Sequence, residues 1–273
     1  GICKVMQNGG HEPTITAKTG LLLDPYFTAS KFAWILDKVD GARERAAAGE
    51  LCFGTVDSFL IWRLTKGAVH ATDATNASRT SLYNIHENDW DDELLALFDV
   101  PRAGLPQVMD CAAEFGICDD SLFGVDLPIR GVAGDQQAAL FGQACFAPGQ
   151  AKNTYGTGSF VLMNVGEICP APVEGLLTTV AWTLDDGGDW KTTYAYEGAI
   201  FVTGAAIQWL RDGLRIVDDA AETGPLAESI DDTGGVVFVP ALAGLGSPYW
   251  DARARGAIVG ITRGTGRAEL VRA

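Results

Sequence analysis

The segment Gly131-Val-Ala-Gly-Asp135-Gln-Gln-Ala-Ala-Leu-Phe-Gly, followed after the Pro148-Gly149 turn by Lys152-Asn-Thr-Tyr-Gly-Thr157-Gly158-Ser, constrains the fold more than any other. Leu127 to Ala133 reads as a short buried strand and Gln136 to Cys145 as a helix, so Asp135 sits where strand gives way to helix. In open α/β sheets the carboxyl ends of strands are where ligands bind. Farther on, Ala151 to Tyr155 and Ser159 to Val165 flank Gly156-Thr157-Gly158, the pattern of a hairpin. Glycines in such a turn permit positive φ and close approach of backbone N–H groups to a phosphate, and Thr157 adds a hydroxyl. A carboxylate base and a phosphate cradle, one on each side of a Pro-Gly turn, point to phosphoryl transfer across a cleft.

Each motif also has a plainer reading. A hydroxyl is a poor nucleophile, and a positioned carboxylate that accepts its proton helps it attack phosphorus. Asp135 can equally be an N-cap that satisfies free N–H groups of the following helix, and the two roles can coexist. Gln136 donates to a substrate hydroxyl or simply occupies the first helical turn. Gly156-Thr157-Gly158 is a hairpin turn whether or not it holds a phosphate. Gly204 and Gln208 stand one turn apart in a helix expected over Ile200 to Leu214. Their small first turn lets a nucleotide lie close, or serves tight helix–sheet packing.

The rest of the chain reads as alternating helices and strands. Apolar residues at 32, 35, 36 and 39 predict a helix after Thr28, and Ala42 to Glu50 a short surface helix. Thr55 or Asp57 caps Ser58 to Leu64, and Asp91-Asp92 caps Glu93 to Phe98. Residues 72–80, polar throughout, read as a turn. Leu176 to Trp182 and Lys191 to Tyr196 are strands split by an Asp-Gly turn; Val236 to Pro240 is a buried strand, as is Ala257 to Ile261, and Thr265 caps a last helix. The loop Gly244-Leu-Gly-Ser-Pro-Tyr-Trp250 reads as ordered by its aromatic residues.

Charge and cysteine usage narrow the chemistry. A net charge of −15 and a pI near 4.5 argue against a nucleic-acid surface. An acidic chain still binds ATP, because magnesium and backbone N–H groups handle phosphates locally. The six cysteines form no C-x-x-C pair, as expected of a reduced cytoplasmic protein with structural thiols. With only three histidines and no paired ligand spacing, zinc and a histidine base are disfavoured and a carboxylate base is favoured. No apolar run is long enough to span a bilayer, so no membrane partner is expected.

Taken together, the ordered motifs resemble the FGGY family of carbohydrate kinases, and within it the members that phosphorylate glycerol. The resemblance is carried by Thr19 to Phe27, Lys31 to Asp37, Gly54 to Trp62, Thr72 to Thr80, the Asp135 and Thr157 segments, Glu197 to Gly204, and Gly244 to Trp250. The Tyr26-x-Thr28-x-x-Lys31-x-x-Trp34 spacing is close to the family's first signature, although Lys38 departs from it. The resemblance implies an α/β fold of two actin-like (ribonuclease-H-like) domains, each incomplete in this chain. Residues 1–146 would be the polyol side and 147–273 the nucleotide side. It implies ATP and Mg2+ as cofactors and glycerol as acceptor, with Asp135 as general base. Tyr26, Asp135 and Gln136 would bind glycerol, with Phe160 as an apolar wall. Thr157 and Gly158 would meet the nucleotide phosphates, with Gly204 and Gln208 beside the nucleotide. No protein ligand to magnesium is assigned, Asp135 reaching it through water. A homo-oligomer is the remaining partner to test.

By the same resemblance the family's N-terminal phosphate loop, an Arg-Glu pair that clamps the polyol and an adenine pocket fall outside residues 1–273. The chain corresponds to the middle half of such a kinase and is expected to be inactive alone. Some bacterial members bind an anionic sugar phosphate on a Gly- and Arg-rich loop before the catalytic segment. Here that region is the acidic Cys118 to Asp126, and no control by such an anion is expected. Two alternatives stand beside this reading: a family member acting on another polyol or ketose such as xylulose, and a non-catalytic, actin-like nucleotide-binding module.

Overall fold

The computed structural model describes residues 1–273. Two compact units emerge: Gly1–Lys152 with Leu162–Val173 and Leu177–Glu197, and Asn153–Val161 with Glu174–Leu176 and Gly198–Ala273.

The first unit is built on helices whose apolar stripes face one core. Helix Ala29–Lys38 buries Ala29, Phe32, Ala33 and Leu36, and leaves Ile35 and Trp34 toward solvent. Its stripe therefore lies three residues earlier than the sequence reading at 32, 35, 36 and 39. Phe32 and Leu36 join Leu94, Phe98, Tyr83 and Val180 in the main cluster. Full burial of each such side chain contributes about 1.5–3 kcal/mol. Helix Glu12–Thr19 ends at Gly20, whose φ of +71° is left-handed. A Cβ there would lie 2.3 Å from the Thr178 carbonyl oxygen, so both conformation and contact require glycine.

Helix Asp92–Phe98 shows a predicted cap realised in full. The Asp91 side chain accepts from the N–H groups of Glu93 and Leu94 at 3.0 and 3.1 Å, from Asn84 Nδ2 at 2.9 Å and from Lys18 Nζ. Burial pushes the Asp91 carboxyl up, but the Lys18 ammonium, the Leu94 N–H and the Asn84 amide outweigh it and hold the group below the usual carboxylate range. A carboxyl depressed in the folded state contributes stability above its unfolded pKa of about 4, and that contribution is lost as pH falls through the folded value. Asp91→Ala is expected to destabilise by roughly 2–3 kcal/mol at neutral pH through loss of the cap and the ion pair. Denaturant unfolding at pH 7 and at about pH 3 checks this: the difference from the parent shrinks at the lower pH.

Two stretches depart from their sequence reading. Residues 72–80 are not a turn: strand Ala71–Asp73, parallel to Gln107–Met109, runs directly into helix Ala74–Ala77. The stretch is almost wholly buried despite its polarity, because its polar groups satisfy one another. Fully buried Asp73 accepts from the Thr75 hydroxyl at 2.6 Å, the Thr75 N–H at 2.9 Å and the Asn76 amide at 2.7 Å. Leu127–Ile129, in turn, is a strand but not a buried one. It pairs antiparallel with Gly116–Cys118, and residues 127–128 are exposed.

A four-stranded sheet runs in the order Ala151–Tyr155, Ser159–Gly166, Trp190–Ile200, Leu177–Asp185, so the two arms of the Gly-Thr-Gly turn are sheet neighbours as expected. Trp190 to Glu197 pairs antiparallel with Asp185 to Leu177. Leu177–Asp185 is buried along nearly its whole length, with helices Ala74–Ala77 and Asp135–Gly142 packed on it. All six cysteines are free.

In the second unit, helix Gly204–Asp212 begins later than predicted, since Ile200 still belongs to the preceding strand. Strands Val237–Val239 and Ala257–Val259 form an antiparallel pair whose outer residues are exposed, not the buried strands expected. The terminal helix, Arg267–Arg272, is capped at Gly266 and packs on Thr223–Glu228. The 244–250 loop is ordered as predicted. Ser247 N–H donates to the Ala199 carbonyl at 2.8 Å, and Trp250 Nε1 donates to the Gly175 carbonyl at 3.0 Å. Trp250 also meets Phe201 edge-on at 5.9 Å.

Candidate active site

In the first unit, helix Asp135–Gly142 starts at Asp135 itself, with Gly134 as N-cap and no side-chain cap bond. The capping role considered for Asp135 is therefore not used. The entry to the helix is pinned from below. Gly134 N–H donates to Thr75 Oγ1 at 2.8 Å, and that hydroxyl donates to buried Asp73. Gln137 reaches Thr179 Oγ1 and the Val180 carbonyl, both at 3.4 Å. Cys111 donates its thiol to Asp73 Oδ2 at 3.2 Å. Burial, with the nearby Asp73 charge, pushes that thiol up to about 12, so it stays protonated as a donor rather than a nucleophile. A rigid, satisfied network thus presents Asp135 at the surface.

Asp135 is exposed, and its Oδ2 accepts from Gln136 Nε2 at 2.9 Å. Gln136 Oε1 in turn accepts from Lys152 Nζ. Lys152 lies at an inward position of strand Ala151–Tyr155 and is only 2% exposed. Burial lowers the pKa of its ammonium, opposed by Glu197 and Asp135. Glu197 is itself buried and pairs with Arg79: Nη2 donates to Oε1 at 2.9 Å, while Nη1 lies 2.8 Å from Oε2 without hydrogen-bond alignment. The Arg79 guanidinium lies 5.4 Å over the Phe27 ring. Tyr26 meets Phe27 edge-on at 5.2 Å. Burial raises the Tyr26 phenol, Arg79 pulls it down, and Glu197 and Asp135 raise it further. Tyr26, Asp135 and Gln136, singled out in sequence, therefore share one charged neighbourhood with Arg79, Lys152 and Glu197.

The sequence marks these last three only faintly. Lys152 occupies an inward strand position where alternation calls for an apolar residue, and Glu197 ends a run of alternating Tyr and Ala.

In the second unit, the Gly156-Thr157-Gly158 turn is held against the start of helix Gly204–Asp212. Thr203 and Ala205 N–H groups donate to the Thr157 carbonyl at 2.9 and 3.1 Å, and Gly204 N–H donates to the Gly156 carbonyl at 2.9 Å. Thr203 Oγ1 donates to the same Gly156 oxygen at 3.1 Å. The first N–H groups of this helix are thus occupied by the turn. A Cβ at Gly204 would fall 2.5 Å from the Gly156 oxygen, and one at Gly158 would fall 2.5 Å from the Ile200 oxygen. Glycine at both positions follows from backbone packing that keeps the turn in place. Thr157 and Gln208 are exposed, and Phe160 is half-buried on strand Ser159–Gly166.

The acidic segment before the site contains helix Asp120–Phe123, with Asp119 accepting from Ser121 N–H at 3.0 Å and paired with Lys66 at 2.7 Å. No group of three or more His, Cys, Asp or Glu side chains is placed to hold a metal ion. No helix is long and apolar enough to cross a membrane.

Comparison with known proteins gives a consistent picture. The N-terminal domain of the FGGY family of carbohydrate kinases matches residues 1–142, and its C-terminal domain matches residues 151–273. The chain is 61% identical over 273 residues to a glycerol kinase of Methylobacterium nodulans, covering 100% of this chain and 54% of that protein. It is 59% identical over 271 residues to glycerol kinase 1 of Pseudomonas aeruginosa, covering 99% of this chain and 54% of that protein. The crystal structure of Plasmodium falciparum glycerol kinase with ADP superimposes with a TM-score of 0.87 at 35% identity, over 99% of this chain and 54% of that one. The chain thus spans about half the length of the curated relatives it matches.

Proposed function

This chain belongs to the FGGY family of carbohydrate kinases, an α/β fold of actin-like domains, and from that membership we propose that it carries part of the active site of a glycerol kinase. The reaction is transfer of the γ-phosphoryl group of ATP to a terminal hydroxyl of glycerol. The observation that supports it most is the exposed Asp135 carboxylate on a rigid support, with one oxygen held by Gln136. Relatives at 59 and 61% identity named as glycerol kinases favour glycerol over a ketose.

In this mechanism Asp135 accepts the hydroxyl proton as the oxygen attacks phosphorus in line. Gln136 and Tyr26 orient the polyol, and Phe160 bounds its carbon chain. Thr157 and Gly158 receive the terminal phosphates, with Gly204 keeping their turn in register and Gln208 beside the nucleotide. We assign residues 1–146 to the polyol side and 147–273 to the nucleotide side. Magnesium bound with the nucleotide would supply charge neutralisation at the phosphates. No protein ligand to the metal is assigned; Asp135 would reach it through water. The ion-paired acidic segment 118–126 is not a site for an anionic sugar phosphate.

The test is product formation from ATP-magnesium and glycerol by the longer protein that carries this chain, with xylulose as competitor. Glycerol 3-phosphate formed at a kcat/KM well above that for xylulose is the expected result. Preference for xylulose would move the assignment within the family, and nucleotide binding without any acceptor-dependent turnover would remove it.

A further inference from the structure

Resting on the glycerol kinase reading, we infer that Lys152 is a positioning residue for phosphoryl transfer: through Gln136, it fixes which oxygen of Asp135 receives the proton of the acceptor hydroxyl. An ammonium has three donors and no acceptor. Lys152 Nζ, buried at 2% exposure, therefore accepts only one orientation of the Gln136 amide, with Oε1 toward the lysine. The flipped amide would set NH2 against the ammonium, donor against donor. The orientation thus follows from chemistry, without any need to distinguish oxygen from nitrogen. Once Oε1 is committed, Nε2 is directed at Asp135 Oδ2, 2.9 Å away. That oxygen is held, and Oδ1 is left to the hydroxyl.

Packing alone does not account for a lysine here. A buried charge is costly to retain unless paired, and an apolar side chain of similar length serves a strand interior better. The charged groups that face this ammonium are Glu197, itself bound to Arg79, and Asp135. Lysine at 152 therefore also places positive charge beside Asp135.

The test uses the longer protein that carries this chain and compares Lys152→Met, Lys152→Arg, Gln136→Leu and the Lys152→Met/Gln136→Leu double variant. Lys152→Met is expected to lower kcat about 10- to 100-fold, the scale of a misplaced catalytic group, with KM for ATP within about twofold and no loss of thermal stability. Lys152→Arg, also a pure donor, recovers most of the rate. The double variant is no slower than Gln136→Leu, because both act through one chain of bonds. Parental kcat in Lys152→Met, or multiplicative losses in the double variant, would overturn the inference while leaving the kinase assignment intact. Should Lys152→Met fail to fold, Gln136→Leu carries the test: unchanged kcat there overturns the inference, and a comparable kcat loss supports it. A parent without glycerol-dependent turnover overturns the functional reading and this inference together.

Discussion

On the proposed kinase reading, replacing Asp135 with Asn in the longer protein that carries this chain is expected to lower kcat for glycerol phosphorylation by about 10³-fold, within the span general-base catalysis supplies, while thermal stability stays at the parental value. The two halves of this expectation have different causes. The amide keeps the shape of the carboxylate and its bond from Gln136 is lost or reversed, but it cannot take a proton from the hydroxyl. Stability holds because Asp135 is exposed and makes no cap bond to its own helix. A residue whose chief role was capping would show the opposite pattern, losing about 1 kcal/mol of stability with little change in rate. Steady-state kinetics and a melting curve on the same preparation separate the two.

The Arg79–Glu197 pair is expected to behave in the contrary way. Glu197 is 3% exposed and Arg79 20% exposed, so Glu197→Gln leaves a largely buried guanidinium without its counter-charge. Breaking such a pair costs about 3–5 kcal/mol, or a fall in melting temperature of roughly 6–15 °C for a domain of this size. Removing both charges together, as in Arg79→Met/Glu197→Leu, recovers most of that loss, because desolvation of the pair is removed with it. The same single variant also exposes Lys152 to less negative charge, so a decline in kcat accompanies the loss of stability. A Glu197→Gln protein melting within a degree or two of the parent would show that the pair is solvated rather than buried.

Local sequence signals place the start of helix Asp135–Gly142 well, because they are local in origin. Asp91 announced its cap through the apolar run that follows it, and the glycines at 156 and 158 announced a turn between two strand-like runs. Signals that depend on tertiary partners were misread. The polar stretch 72–80 looked like a surface turn because its composition suits one; only the folded chain shows Thr75, Asn76 and Cys111 converging on Asp73. For Gly204 the sequence offers two readings, a place beside a nucleotide and tight packing, and only the folded chain supplies the packing partner, the Gly156 carbonyl. Helix Gly204–Asp212 was started too early because Ile200 to Val202 is apolar enough to fit either periodicity. Lys152 carries only a weak local signal, since strand alternation alone does not show which face of Ala151–Tyr155 turns inward.

The most direct test of the account is a crystal structure of the longer protein with glycerol and a non-hydrolysable ATP analogue bound. The account predicts the terminal glycerol hydroxyl within hydrogen-bond reach of Asp135 Oδ1, about 2.6–3.2 Å, with Oδ2 still held by Gln136 and the γ-phosphate at the Thr157 turn. A terminal hydroxyl that contacts a different base, or a Gln136 amide turned away from Lys152 and Asp135, would contradict it.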